Sequence, residues 1–130
     1  MDDLPQLIYL EAAICENLRL NPILPITPHQ AEEDLVLCDG TLVAKDSRTM
    51  LALYATGRSK SIWEEDALAF KPERWIDPVT GKLLIVSLSK FILFFAGPRQ
   101  CMGIRFAMIE MKCALAVLLS KFDFTTVEDL

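Results

Sequence analysis

The sequence predicts a mainly α-helical fold with small β-sheet elements. Residues 4–20 and 104–119 carry apolar side chains at helical spacing, and residues 34–45 have the pattern of a β-hairpin. With 130 residues the chain is long enough for one domain with a sizeable core. Hydrophobic residues make up 52% and charged residues 24%, which excludes a disordered composition.

The composition also narrows the possible functions. A net charge of −5 argues against a nucleic-acid-binding protein, which is more often basic. No apolar run reaches the roughly 18–20 residues that span a bilayer, and the start Met1-Asp2-Asp3 lacks the features of a signal peptide. No anchor or secretory signal is therefore expected in the chain as it stands. The four cysteines form no Cys-x-x-Cys pair and no zinc spacing with His29, so reduced thiols are expected.

The first helix is predicted over about residues 4–20. Asp3 can cap it, and Pro5 suits its first turn. Asn21-Pro22 ends it, because a residue before proline is pushed out of the α region. The predicted inward stripe consists of Leu7, Leu10, Ile14 and Leu18.

The middle of the chain predicts extended and irregular structure. A hairpin is expected over about 34–45, with its turn at Asp39-Gly40, and residues 50–54 predict either a strand or the entry to a short helix. Residues 58–90 read as a long connection with weak regular structure, which in a compact domain is usually functional or held by specific contacts.

The last helix begins at Ile104. One face carries apolar residues throughout: Ile104, Ala107, Met108, Met111, Leu115 and Leu118. Residues 113–119 are apolar all round, which predicts burial on both sides. Residues 122–125 predict a short final strand.

A loop before this helix concentrates the residues that can carry chemistry. A lone cysteine is ordinarily a small buried hydrophobe, but the helix start just beyond Cys101 favours a thiolate. Gly97 and Gly103 permit backbone shapes, or the close approach of a flat ligand, that a Cβ would block. Arg99 can make charge-assisted bonds to a carboxylate, and Phe94 can shield the sulfur from water. Together these features indicate a loop that holds a thiolate at a fixed point.

The pattern Phe94-x-x-Gly97-x-Arg99-x-Cys101-x-Gly103 resembles the haem-ligand signature of the cytochrome P-450 family, the haem-thiolate monooxygenases. The resemblance implies that the Cys101 thiolate is the axial, metal-binding ligand of a haem b iron, where it favours O–O cleavage. It also implies that Arg99 bonds a haem propionate. Met102 is a mild departure, because a smaller or branched aliphatic residue is more usual at that position.

Glu16 and Arg19 lie three residues apart and share one face of the first helix. Taken alone they predict a solvated ion pair worth about 0.2–0.5 kcal/mol. Their order ahead of Pro72-Glu73-Arg74-Trp75 and the cysteine loop resembles the family again, in which this pair bonds the later arginine, here Arg74. The resemblance implies a structural brace of Glu16, Arg19 and Arg74 that keeps the cysteine loop correctly placed for haem.

His29 has two interpretations. It is either a surface histidine or a contact to a haem propionate, because the segment after the first helix passes near a propionate in the family. The remaining thiols are interpreted as structural: Cys15, Cys38 and Cys113.

The resemblance covers residues 4 to about 125 and implies the C-terminal portion of the cytochrome P-450 fold: a Glu-x-x-Arg helix, a β hairpin, a meander loop, a Cys-ligand loop and a long C-terminal helix. Residues 1–130 are then expected to be a C-terminal fragment of a single haem-thiolate monooxygenase domain, without its distal helix and membrane anchor. The alternative is a truncated, non-catalytic chain that cannot form a complete haem pocket.

The resemblance also implies partners and a location for a full-length parent. Such an enzyme inserts one atom of O2 into an apolar small molecule, takes electrons from an NADPH-dependent reductase, and resides on the cytosolic face of the endoplasmic reticulum membrane. Residues 66–75, 96–99, 106–108 and 110–112 are similar to eukaryotic fatty-acid and alkane hydroxylases of the plant and oomycete type, which suggests fatty-acid hydroxylation. No residue in the sequence selects a chain length.

Overall fold

The computed structural model describes residues 4–84, 86–87 and 90–125. They form helices and two small antiparallel sheets, so the predicted fold class is confirmed at that level. The helices are α1 (Ile8–Leu20), α2 (Leu53–Thr56), α3 (Lys60–Trp63) and α4 (Ile104–Lys121). The strands are β1 (Thr27–Gln30), β2 (Leu35–Val36), β3 (Leu42–Val43) and β4 (Arg48–Leu51), and 3₁₀ turns lie at Leu4–Gln6, Pro72–Trp75, Ile92–Phe94 and Gly97–Arg99.

The first helix is shorter than the sequence predicts. Leu7 has a ψ of 59°, outside the helical region, and it separates α1 from the 3₁₀ turn that contains Pro5. The predicted cap Asp3 lies outside the described residues. At the other end Asn21, restricted by the proline that follows it, leaves the helical region and ends α1.

The two sheets are small and mostly exposed. β1 pairs with β4, which places His29 opposite Thr49. β2 pairs with β3 in a hairpin whose strands have only two residues each, shorter than the predicted 34–45. The segment 50–54 divides at Ala52 into the end of β4 and the start of α2, so it contains both of the predicted alternatives.

The core lies between α1 and the long connection 58–90. Ala12 of α1 packs in one buried cluster with Trp63, Ala67 and Trp75 of that connection. The described residues of this connection have little regular structure beyond α3 and the 3₁₀ turn Pro72–Trp75, but they supply three of the four members of the cluster. This connection is therefore a packed part of the domain, and its position depends on α1.

α4 differs from the prediction. Residues 113–119 include exposed large apolar side chains, and in the described part of α4 only Lys112 is buried. The prediction of burial on both sides is wrong for this chain, because α4 meets the rest of it along one side, against α1 and the first 3₁₀ turn. The exposed large apolar side chains of α4 are Phe106, Ile109, Leu115, Val117, Leu118 and Leu119.

The predicted final strand is also wrong. Residues 122–125 have no regular structure, and none of the strands in the described ranges pairs with them. An extended segment is assigned as a strand only where a neighbour accepts and donates its backbone hydrogen bonds. Of the helices in residues 4–125 that the structure describes, none combines the length and the apolar character needed to cross a bilayer.

Candidate functional site

Glu16 is the centre of a buried polar network on α1. Its Oε1 accepts hydrogen bonds from Arg19 Nη2 (2.7 Å), the Lys71 backbone N–H (2.8 Å) and Arg74 Nε (2.9 Å). Its Oε2 accepts hydrogen bonds from Arg19 Nε (2.8 Å) and Trp75 Nε1 (2.9 Å). Five donors therefore converge on one buried carboxylate, and three of them come from residues 71–75.

Arg19 is buried beside Glu16 and uses all of its donors. Besides its two bonds to Glu16, its Nη1 donates to the carbonyls of Gly57 (2.5 Å) and Ala67 (2.6 Å), and its Nη2 donates to the carbonyl of Ala69 (2.9 Å). A guanidinium has five N–H donors, and each of them has a partner here. One side chain of α1 thus satisfies three backbone carbonyls of residues 57–69, a segment whose only helix is the four-residue α3.

Electrostatics keep this network ionised. Burial would raise the pKa of Glu16, but hydrogen bonds from Arg19, Lys71, Trp75 and Arg74 outweigh it and hold that pKa below its ordinary value. Burial alone would lower the pKa of Arg74, because it disfavours the charged guanidinium. The hydrogen bonds from Arg74 to Glu16 and Asp66 outweigh burial and raise that pKa overall. Asp66 accepts from Arg74 at 3.1 Å, which gives the second guanidinium a carboxylate of its own.

Cys101 closes a tight loop just before α4. Its N–H donates to the carbonyl of Phe94 (2.8 Å), so the two ends of the loop are held together. Gly97 has a φ of +67°, in the left-handed region that favours glycine. The Cys101 thiol is exposed, and a Cβ added at Gly103, the N-cap of α4, would lie 4.0 Å from its Sγ. The sulfur therefore lies beside the first turn of α4.

Phe95 adopts a backbone conformation that is almost confined to glycine. Its φ is 58° and its ψ is −179°, and such a conformation costs on the order of 1–3 kcal/mol in a non-glycine residue. Its ring lies edge-on to the His29 ring, with 6.1 Å between the centroids. The strained residue directly follows Phe94, whose carbonyl receives the Cys101 N–H.

Two clefts adjoin the cysteine loop. The first, of about 200 Å³, is almost wholly apolar apart from the thiol, and it is lined by Leu18, Ile23, Leu24, Leu93, Phe94, Phe95 and Cys101. The second is polar and is lined by Pro28, His29, Gln30, Glu32, Phe95 and Arg99. Because Phe95 lines both clefts, an apolar surface around the thiol continues into a polar surface that carries His29 and Arg99.

A comparison with protein families identifies the chain. The cytochrome P450 family model matches residues 1–129. The chain belongs to the cytochrome P450 family. Membership implies a haem-iron cofactor with a cysteine thiolate ligand, and it implies the oxidoreductase chemistry of a haem monooxygenase in the parent family.

Individual cytochromes P450 are similar to nearly the whole of this chain. Alkane hydroxylase MAH1 of Arabidopsis thaliana is 40% identical over 127 residues, which is 98% of this chain and 25% of that protein. Cytochrome P450 94A2 of Vicia sativa is 40% identical over 124 residues, 93% of this chain and 24% of that protein. Ganoderic acid synthetase CYP5150L8 of Ganoderma lucidum is 38% identical over 144 residues, 98% of this chain and 26% of that protein. The chain thus spans about a quarter of the length of these relatives.

The residues of this cytochrome P450 chain around Cys101 fit a haem group. Among the described residues, Cys101 supplies the thiol that lines the apolar cleft. The polar cleft next to it has two basic side chains, His29 and Arg99, that suit carboxylates. A Cβ added at Gly97 would meet nothing within 4 Å, and at Gly103 only the Cys101 sulfur lies at that distance. The space above the loop is therefore open to a flat ligand.

The structure brings the predicted site residues into two groups. Glu16, Arg19 and Arg74 form the buried network, and they line neither of the two clefts beside the loop. The residues Phe94, Arg99, Cys101 and His29 line the clefts. Of the thiols interpreted as structural, Cys38 is exposed on the β2–β3 hairpin, so a packing role is wrong for it, whereas Cys15 and Cys113 are half-buried.

Sequence reasoning missed several contributors. Trp75 packs in the core and also donates a hydrogen bond from its indole N–H to Glu16. Lys112 was overlooked, although it is buried and its Nζ lies 2.6 Å from Glu11 Oε2, which joins α4 to α1. One signal was available: Lys112 follows Met108 by four residues and therefore shares its apolar face.

Proposed function

We propose that residues 1–130 form the C-terminal portion of a haem-thiolate monooxygenase domain and that Cys101 is the axial ligand of its haem iron. The observation that carries this proposal is the position of the exposed Cys101 thiol, at the start of α4 and on an apolar cleft. A flat apolar macrocycle with an iron centre matches such a cleft better than a polar substrate does. Two glycines leave space for its close approach.

The other residues of the loop have separate roles in the proposal. Arg99 and His29 bind the haem propionates from the polar cleft, where charge-assisted bonds orient the group. Phe94 lines the apolar cleft beside the sulfur, and its carbonyl accepts the Cys101 N–H. Gly97 supplies the left-handed turn, and Gly103 leaves the sulfur uncovered. When bound, the haem supplies the reduction and cleavage of O2.

The network of Glu16, Arg19 and Arg74 acts as a brace in this proposal. It ties residues 57–75 to α1 through buried charge-assisted bonds. Removing one member of a buried ion network leaves an uncompensated charge, at a cost of about 3–5 kcal/mol. Substitution of Glu16 or Arg19 by Ala is therefore expected to abolish haem incorporation rather than to tune turnover.

The substrate is proposed from chemistry and from relatives. Ile23 and Leu24 lie exposed on the apolar cleft, so an apolar small molecule suits its free side. A relative described as an alkane hydroxylase supports a hydrocarbon or fatty-acid chain as the substrate. The full-length protein is proposed to insert one oxygen atom into this chain, with electrons from an NADPH-dependent reductase, at the endoplasmic reticulum membrane.

A second candidate is a truncated, non-catalytic chain that cannot complete a haem pocket. The exposed apolar residues of α4 favour it, because a stable domain rarely leaves so many large apolar side chains on one helix in water.

Haem reconstitution distinguishes the two candidates. The chain is expressed with added haem, reduced and exposed to carbon monoxide, and the Soret band is recorded. The expected result is the red-shifted band of a thiolate-ligated haem, lost in Cys101→Ala and retained in Cys38→Ala, which changes the other exposed thiol. Absence of haem uptake by the wild-type chain supports the non-catalytic alternative, and a thiolate band that survives in Cys101→Ala contradicts the ligand assignment.

A further inference from the structure

A series of aromatic rings leads from the buried ion network to the cysteine loop. Trp75, which donates its Nε1–H to Glu16, packs edge-on against Phe91 with 4.7 Å between the ring centroids and 69° between the planes. Phe91 packs edge-on against Phe94 at 6.2 Å and 70°. The carbonyl of Phe94 then accepts the N–H of Cys101 at 2.8 Å. Every step from Glu16 to Cys101 is therefore a direct contact.

The geometry of this series makes it a rigid link. Edge-to-face packing favours a narrow range of distances and angles, because the positive ring edge is attracted to the negative ring face. Trp75 is buried in the core, so its end of the series is fixed. The 3₁₀ turn Ile92–Phe94 fixes the spacing between Phe91 and Phe94 at the other end.

We propose that Phe91 is a positioning residue for Cys101. Because Phe91 contacts both Trp75 and Phe94, the position of Trp75, which is bonded to Glu16, determines the position of Phe94. The Phe94 carbonyl in turn accepts the Cys101 N–H. The importance of this position rests on the proposed role of Cys101 as a metal ligand. If Phe91 only filled space beside Trp63 and Trp75, against which it also packs, any apolar side chain of similar size would serve equally well.

Amide hydrogen exchange of the 130-residue chain tests the link without haem. Phe91→Leu keeps an apolar side chain but removes the ring. The Cys101 amide is then expected to exchange faster by about 2- to 13-fold, which corresponds to the worth of the Phe91–Phe94 pair, the one of the two lost pairs that contacts Phe94. Amides in the middle of α1 and the Leu37 amide, which donates to Thr41 in the β2–β3 hairpin, are expected to keep their rates.

Two further variants complete the test. Phe91→Tyr keeps the ring and is expected to restore the wild-type exchange rate at Cys101. Phe122→Leu is the matched control, because it removes a ring from the Phe122–Phe124 pair (6.4 Å) beyond α4, and it is expected to leave the Cys101 amide unchanged. If Phe91→Leu leaves the Cys101 rate unchanged, or speeds the α1 amides equally, the proposal is overturned.

The outcome is separable from that of the haem proposal. If Phe91→Leu accelerates exchange at Cys101 in a chain that takes up no haem, the positioning role stands and haem binding by this chain fails. If haem binds through Cys101 but Phe91→Leu changes no exchange rate, the haem proposal stands and the positioning role is wrong.

Discussion

Glu16→Gln is the sharpest perturbation of the buried network. Glutamine has nearly the shape of glutamate, so no cavity forms, but the negative charge is lost and one oxygen becomes an NH2 donor. That NH2 must then face either the three donors at the Oε1 position or the two at the Oε2 position. We expect a loss of about 3–5 kcal/mol in the free energy of unfolding, as for other broken buried ion pairs. This is a large part of the roughly 5–15 kcal/mol that stabilises a typical domain.

The same residue predicts a pH dependence. The pKa of Glu16 in the folded chain lies below its ordinary value of 4.5, so the folded state favours the carboxylate. Its contribution to stability is therefore fully present above pH 4.5, and it is lost as the pH falls through the lower pKa of the folded state. The Glu16→Gln variant lacks this titrating carboxyl group. Its free energy of unfolding should therefore fall less steeply than that of the wild-type chain as the pH is lowered below 4.5.

Urea unfolding followed by circular dichroism measures both effects. Glu65→Gln is the matched control, because Glu65 pairs with Lys60 at 2.6 Å with both side chains largely exposed, and such pairs contribute little. Haem uptake should be lost in Glu16→Gln and kept in Glu65→Gln. Equal unfolding midpoints for the two variants, or an unchanged acid dependence in Glu16→Gln, would refute the reasoning.

Three further predictions concern contacts around the network. Gly57→Ala should destabilise the chain by about 1–3 kcal/mol in urea unfolding, because its Cβ would overlap the Arg19 carbonyl oxygen; a neutral effect contradicts the close packing. Lys112→Met should lower the free energy of unfolding by about 1.5–3 kcal/mol, because the charged hydrogen bond to Glu11 is lost. The double variant Lys112→Met/Glu11→Gln should show an equal loss, which tests the pairing of the two side chains. Burial, with Glu11 beside it, raises the pKa of Cys15 to about 12, so iodoacetamide at neutral pH should label it only after unfolding, as mass spectrometry can show; rapid labelling of the folded chain contradicts this.

Local patterns predicted the parts of the fold that depend on local chemistry. The end of α1 at Asn21-Pro22 follows from a steric rule that acts within two residues. The motif order related Glu16 and Arg19 to Arg74, and the three lie in one network although 55 or more residues separate the helix pair from Arg74. Their further partners were not predictable in the same way, because Arg19 bonds backbone carbonyls, which every residue has.

The predictions that failed depend on which elements pack against each other, and not on the local sequence. Periodicity marks α4 as apolar, but burial depends on what packs against the helix, and only one side of α4 has a partner in the described residues. The segment 122–125 has a strand-like composition but no neighbouring strand. The conformation of Phe95 was not foreseeable either, because its sequence carries no glycine signal and the tight loop with the Cys101–Phe94 bond imposes it.

The position of the two tryptophans gives the chain a built-in optical probe. Trp63 and Trp75 are its only tryptophans, their rings lie 5.6 Å apart, and both are buried. The Arg19 guanidinium lies over Trp63, and Glu16 receives the indole N–H of Trp75. Tryptophan fluorescence of this chain therefore monitors the docking of residues 57–75 onto α1, since neither the hairpin nor α4 carries a tryptophan.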